Sequence, residues 1–150
     1  MLLLASTSDL LRVVTSGTSA IDVHASCMDM DVTGTGRPTG YRKNTAITTA
    51  NTHTVVESPA SNTLCTVKTL SVRNKGGGTQ VVTVLHTDGT TVVEQIEATL
   101  GPDTSLQYHE GRGWFVTDTQ GRAVVVNYAY AGTPITDADT IVRLTSDVTN

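Results

Sequence analysis

The stretch from Cys65 to Thr117 constrains this chain more than any other. Runs rich in Val, Thr, Ile and Tyr occupy Cys65–Asn74, Thr79–Thr87, Thr90–Leu100, Thr104–His109 and Trp114–Thr117. Between them lie Lys75-Gly-Gly-Gly78, Asp88-Gly89, Gly101-Pro-Asp103 and Glu110-Gly-Arg-Gly113. β-Branched and aromatic side chains suit a pleated, half-buried surface, and Gly, Pro and Asp cut it into short lengths. Asp-Gly between two such runs marks a tight hairpin. The expectation is an antiparallel β meander, with Lys75–Gly78 as one of its hairpin loops. Roughly a fifth of the chain is Thr and an eighth Val, against three lysines and four glutamates, so strong helix formers are scarce.

Upstream, Leu10-Leu-Arg-Val-Val14 and Ala20–Ser26 flank a turn at Thr15–Ser19 and are expected to form a first hairpin. In the second run Ile21, Val23 and Ala25 share one face, while Asp22, His24 and Ser26 share the other. Asp31–Tyr41 is rich in Gly and Thr with few apolar anchors, which predicts a long loop. Thr45–Ala50 and Thr52–Glu57 read as short strands, and Ser58–Asn62 as a turn. Beyond Thr117 come a turn at Asp118–Gly121 and a strand at Arg122–Tyr130, ended by Ala131-Gly-Thr-Pro134. Residues 132–150 form a polar tail around Ile141-Val-Arg-Leu144, either mobile or docked on a neighbour. Short strands turning about every 8–12 residues, without helices, indicate an all-β antiparallel β-sandwich, jelly-roll-like, with an up-and-down barrel as the alternative. A chain of 150 residues suits one such domain, over residues 1–131.

The net charge is −4 with scattered acids, so a basic nucleic-acid surface is not expected. No stretch approaches the roughly 20 apolar residues of a membrane span. Met1-Leu-Leu-Leu-Ala5 lacks the positive flank and the apolar length of a secretory signal, so synthesis and folding in a cytoplasm are expected. Cys27 and Cys65 stand alone, which excludes a Cys-x-x-Cys site; two buried thiols are the first reading and a single disulfide stays open. His24, His53, His86 and His109 contain no His-x-His pair of the kind that cupin-type metal sites use. They are expected to face solvent or to bond across strands. Asp29 and Asp31 share a strand face without offering the further oxygens of a calcium loop. Gly-x-Ser-x-Gly is absent, and Lys75–Gly78 lacks the phosphate-cradling pattern. Trp114, close to Tyr108 and Phe115, reads as core packing ahead of a sugar platform. No catalytic, cofactor-binding or metal-binding residue is therefore assigned, and no cofactor is expected.

Four segments carry a resemblance: Val67-Lys-Thr-Leu-Ser-Val-Arg-Asn74, Val82-Thr-Val-Leu-His-Thr-Asp-Gly-Thr90, Thr99-Leu100 and Leu106-Gln-Tyr-His-Glu-Gly-Arg-Gly-Trp114. Together they are similar to a pattern close to V-K-x-L-x-I-R-N … V-T-V-x-x-x-D-G-T-T … G-E-x-L-x-Y-x-E-G-x-G-W of small virion proteins of tailed bacteriophages. Leu11–Ser16, Ile21–Ser26, Asn44–Ala50 and Val55–Ser61 resemble the same proteins, so the likeness spans about residues 8–118. It departs at Gly101-Pro-Asp-Thr104, where the pattern prefers Gly-Glu, and from about residue 123 onward.

The resemblance implies a non-enzymatic structural protein of the virion, a subunit that binds the major capsid protein as a decoration (cement) protein. A tail, neck or fibre-adaptor part is the alternative within the particle. It brings no catalytic residues with it. A receptor- or glycan-binding module and a metal-dependent jelly-roll enzyme are the competing classes. Polar segments at 31–63 and 131–150 suit strand exchange between neighbours in a homo-oligomer, with a trimer as one closed form. Deleting residues 132–150 is expected to lower the assembled mass in light scattering while cooperative thermal unfolding persists. A truncated chain that no longer unfolds cooperatively would refute the division into domain and tail.

Overall fold

The fold rests on alternation of apolar and polar residues, best seen in Ile21–Asp31, where Ile21, Val23, Ala25 and Cys27 are buried and the residues between them are not. The computed structural model describes residues 1–34 and 36–124. The strand expected beyond Val124 and the tail at 132–150 lie outside the described residues. Within them are eleven strands: β1 (Leu2–Leu4), β2 (Leu10–Thr15), β3 (Ile21–Asp31), β4 (Thr39–Ile47), β5 (Thr52–Val56), β6 (Thr63–Asn74), β7 (Gln80–Thr87), β8 (Val92–Leu100), β9 (Ser105–His109), β10 (Gly113–Thr117) and β11 (Ala123–Val124).

The strands make two antiparallel sheets. The larger has the order β11-β10-β9-β6-β3-β4, with β1 also paired to β6; the smaller has the order β5-β2-β7-β8. Buried residues of both sheets form one apolar cluster, with Leu11, Val13, Val82 and Val84 from the smaller and Ile21, Val23, Leu70, Val72 and Leu106 from the larger. The all-β, antiparallel expectation holds.

Three local expectations do not. The stretch Cys65–Thr117 is not a meander, because β6 and β7 belong to different sheets and so do β8 and β9. Only β7–β8 and β9–β10 are hairpins within it, at the Asp88-Gly89 and Glu110–Gly113 turns. The first hairpin is likewise a crossover, with β2 in the smaller sheet and β3 in the larger. Asp31–Tyr41 is not a long loop: β3 runs to Asp31 and β4 begins at Thr39, in register with it from Asp29↔Thr39 to Ile21↔Ile47. As an edge strand, β4 draws its stability from backbone hydrogen bonds along one side and needs few apolar side chains, so its sequence lacks the usual alternation.

β6 is the axis of the larger sheet. Its burial pattern shifts phase between Val67 and Leu70, where the register with β3 slips by one residue at Lys68. This β-bulge divides one edge of β6 between two partners, β1 up to Val67 and β9 from Thr69. The Lys68 carbonyl accepts from Glu110 N–H at 2.8 Å, and Lys68 Nζ reaches Glu110 at 2.6 Å.

At its far end β6 finishes in Asn74, which is fully buried and saturated with hydrogen bonds. Its Nδ2 donates to the carbonyls of Gly78 (2.7 Å) and Leu100 (2.9 Å), and its Oδ1 accepts from Gly76 N–H (3.1 Å). Its own N–H and C=O engage Thr104 and Asp103. One amide thus ties the end of β6 to two of the connections that carry the chain between sheets, β6–β7 and β8–β9. Gly76 is needed for close approach, since a Cβ there would lie 2.9 Å from the Ala20 backbone nitrogen and 2.8 Å from Ser19 Cβ. Asn74→Ala leaves the Leu100 carbonyl without its buried side-chain donor and takes one partner each from the Gly78 carbonyl and the Gly76 N–H, which keep Ser19 Oγ and the Ala20 carbonyl. The expected loss is about 3 kcal/mol, read as a lower urea midpoint with an unchanged slope.

Candidate interaction surface

The side chains that could carry chemistry are dispersed, and most serve the fold. His24, His53, His86 and His109 sit on β3, β5, β7 and β9. His24 Nδ1 bonds Asn44 Oδ1 across the β3–β4 pair at 2.6 Å, as a cross-strand histidine should. His53 Nε2 meets Thr49, and the His109 ring lies 5.3 Å from the Phe115 ring. Among the described residues no three of His, Cys, Asp or Glu are placed to hold a metal ion. Asp31 belongs to the turn after β3, its carboxylate accepting from the N–H and hydroxyl of Thr33, both at 2.8 Å.

Cys27 and Cys65 are free and buried on the core side of β3 and β6. The Tyr41 hydroxyl shares a hydrogen bond with Cys65 Sγ at 3.1 Å. Hydrogen bonding with Cys27 and then burial push the Cys65 thiol up; burial and then Cys65 push the Tyr41 hydroxyl up. Both groups stay protonated, so Cys65 is a packed thiol and not a nucleophile. Trp114 packs its half-buried ring 4.9 Å from Tyr108, whose own ring is buried. That is the expected core role, and among the described residues it leaves no row of exposed aromatics. On the opposite face Phe115 is covered by the Arg112 guanidinium, 4.0 Å from the ring centre.

Asp9 is a second hub that the sequence did not announce. It is buried, and it accepts from Ala5 N–H (2.6 Å), Ser6 N–H (3.3 Å) and Ser6 Oγ (2.5 Å), fixing the crossover from β1 to β2. His86 Nε2 lies 3.8 Å away. Burial alone raises the Asp9 carboxyl, but these hydrogen bonds and the nearby imidazole outweigh it, so its pKa falls below 3.8.

What remains is surface. The outer face of the larger sheet carries a cross-strand row, Leu3–Thr66–Met28–Gly40, followed by the pair Met30–Leu64. Leu3, Met28, Met30 and Val32 are 36–54% exposed, an apolar patch with adaptable methionines at its centre. The signal was present in Cys27-Met28-Asp29-Met30, where methionines occupy the polar phase of the strand. Among the described residues, unpaired backbone edges accompany the patch: β4 ends the larger sheet beside it, and β5 and β8 end the smaller. Next to β8, Ile96, Ala98, Leu106, Trp114, Val116 and Val124 line an open groove of about 380 Å³. Among the described residues no helix is long and apolar enough to cross a membrane.

No protein-family model matches the chain, and no curated protein or solved structure matches it either.

Asp9 sets a pH dependence. Its folded pKa is depressed, so its contribution is fully present above the unfolded value of 3.8 and fades as pH falls through the lower folded value. Asp9→Asn is expected to cost about 2 kcal/mol near neutrality and to flatten the acid limb of stability against pH, both followed by urea unfolding.

Proposed function

We propose that this chain is a non-enzymatic structural subunit of a tailed-phage virion, a capsid decoration protein that binds and stabilises neighbouring capsid subunits. In this reading the two sheets are the layers of a jelly-roll-like β-sandwich, and the subunit works as a homo-oligomer within the particle. The observation that carries the proposal is the exposed Leu3–Met28–Met30–Val32 patch lying beside the free edge of β4. Apolar surface next to unpaired backbone is suited to receiving another chain by strand addition. The resemblance of Val67–Asn74, Val82–Thr90 and Leu106–Trp114 to phage virion proteins supports the same role. A tail, neck or fibre-adaptor part uses the same surfaces and differs in copy number. A glycan-binding module is less favoured, because Trp114 and Tyr108 are committed to packing.

The test is to purify particles from cells whose genome carries the gene and to quantify the chain in banded virions by mass spectrometry. Stoichiometry comparable with the major capsid protein is expected of a decoration protein, and a few copies per particle indicate the tail or neck. Absence from the particles overturns the proposal.

A further inference from the structure

The two sheet edges on opposite sides of the domain carry opposite charge. β4 ends the larger sheet and packs near β5; β8 ends the smaller sheet and packs near β9, at the other side. β4 exposes Arg42 and Lys43 near its middle. β8 exposes Glu94 and Glu97, along with Val92 and Val93 at its start. Among the described residues none of these four charged side chains forms an ion pair, although Lys68, Arg73, Lys75 and Arg122 each do. Glu97 takes only a hydrogen bond from Thr83 Oγ1, at 3.2 Å.

The edges are also unequal in shape. β4 keeps an unbroken register with β3 over nine residue pairs and presents a regular free edge. A side chain at Gly40 would meet nothing nearer than the Cys27 carbonyl at 3.9 Å, so the space beside Met28 is open. β8 slips register against β7 at Gln95, between its two glutamates. A bulge and acidic side chains prevent a strand edge from pairing with a copy of itself. Like charge at Arg42 and Lys43 sets the same obstacle to pairing β4 with a copy of β4, whereas β4 and β8 attract each other.

We infer that the partner of the β4 edge is a second copy of this chain, engaged through its β8 edge, so that the basic edge carrying Arg42 and Lys43 is set against the acidic edge carrying Glu94 and Glu97. Because the two edges differ and face opposite ways, the contact is head-to-tail: it closes into a ring when the rotation between copies allows, and otherwise extends. The inference rests on the assembly role proposed above and adds the surface and the order of its charges.

Charge reversal tests it. The protein is expected to form an oligomer in light scattering, and its mass falls as salt rises from about 0.05 to 0.5 M. Arg42→Glu with Lys43→Glu makes both edges acidic; Glu94→Lys with Glu97→Lys makes both basic. Each double variant is expected to be monomeric with an intact cooperative melt. Mixing the two restores opposite charge wherever the variants alternate and should return oligomers that contain both. Three results overturn the inference: a monomeric parent protein, variants that keep the parental mass, or a mixture that stays monomeric. These leave the virion assignment standing, since that is decided by the content of the particles.

Discussion

Among the described residues six connections carry the chain from one sheet to the other, and the buried amide of Asn74 holds two of them in place. A crossover is costly for a β protein because its backbone leaves the ladder while still close to the core. A buried carbonyl such as that of Leu100 must then find a donor without water. Asn74 supplies that donor and another to the Gly78 carbonyl, and receives the Gly76 N–H in return. Asp9 does the corresponding work at the β1–β2 crossover, with a carboxylate instead of an amide. The apolar cluster drives the sheets together without direction; these two polar hubs decide which connection goes where.

The strands themselves were legible. Alternation in Ile21–Cys27, the Asp-Gly turn and the Glu110–Gly113 turn all appear where the sequence places them. Even the bulge left a trace, since Cys65 and Val67 are followed by Leu70 and Val72, a phase change of one residue. Sheet membership was not legible. A crossover and a hairpin loop draw on the same glycines and polar residues, and Lys75–Gly78 fits either. What separates them is the long-range grip of Asn74 and the contact of Gly76 with Ser19 and Ala20, neither of which is local in sequence. Of β4 only the end, within Thr45–Ala50, was read as a strand; from Thr39 to Asn44 every residue but Tyr41 is exposed, so there is little burial pattern to read.

The same accounting explains why the functional reading falls on surfaces. Cys27, Cys65, Tyr41, Asp9 and Trp114 are occupied by packing and hydrogen bonding, and the histidines are spread over four strands. The residues left unengaged are apolar side chains on a sheet face and charges on strand edges. Groups of that kind recognise other proteins, and their energetic return comes only on association.

The division of β6 between β1 and β9 has a consequence for how the chain is made. Each sheet joins strands far apart in sequence: β1 waits for β6, β6 for β9, and β2 for β7. Such high contact order places loop closure ahead of any stabilising contact, and folding on a scale of milliseconds to seconds is typical of such topologies. A ribosome releasing this chain from its N-terminus exposes β3 and the first half of β6 well before β9 emerges to cover the remaining edge. During that interval the edge of β6 from Thr69 onward is open beside β3, and transiently unpaired strand edges of this kind are what make incomplete β chains prone to associate.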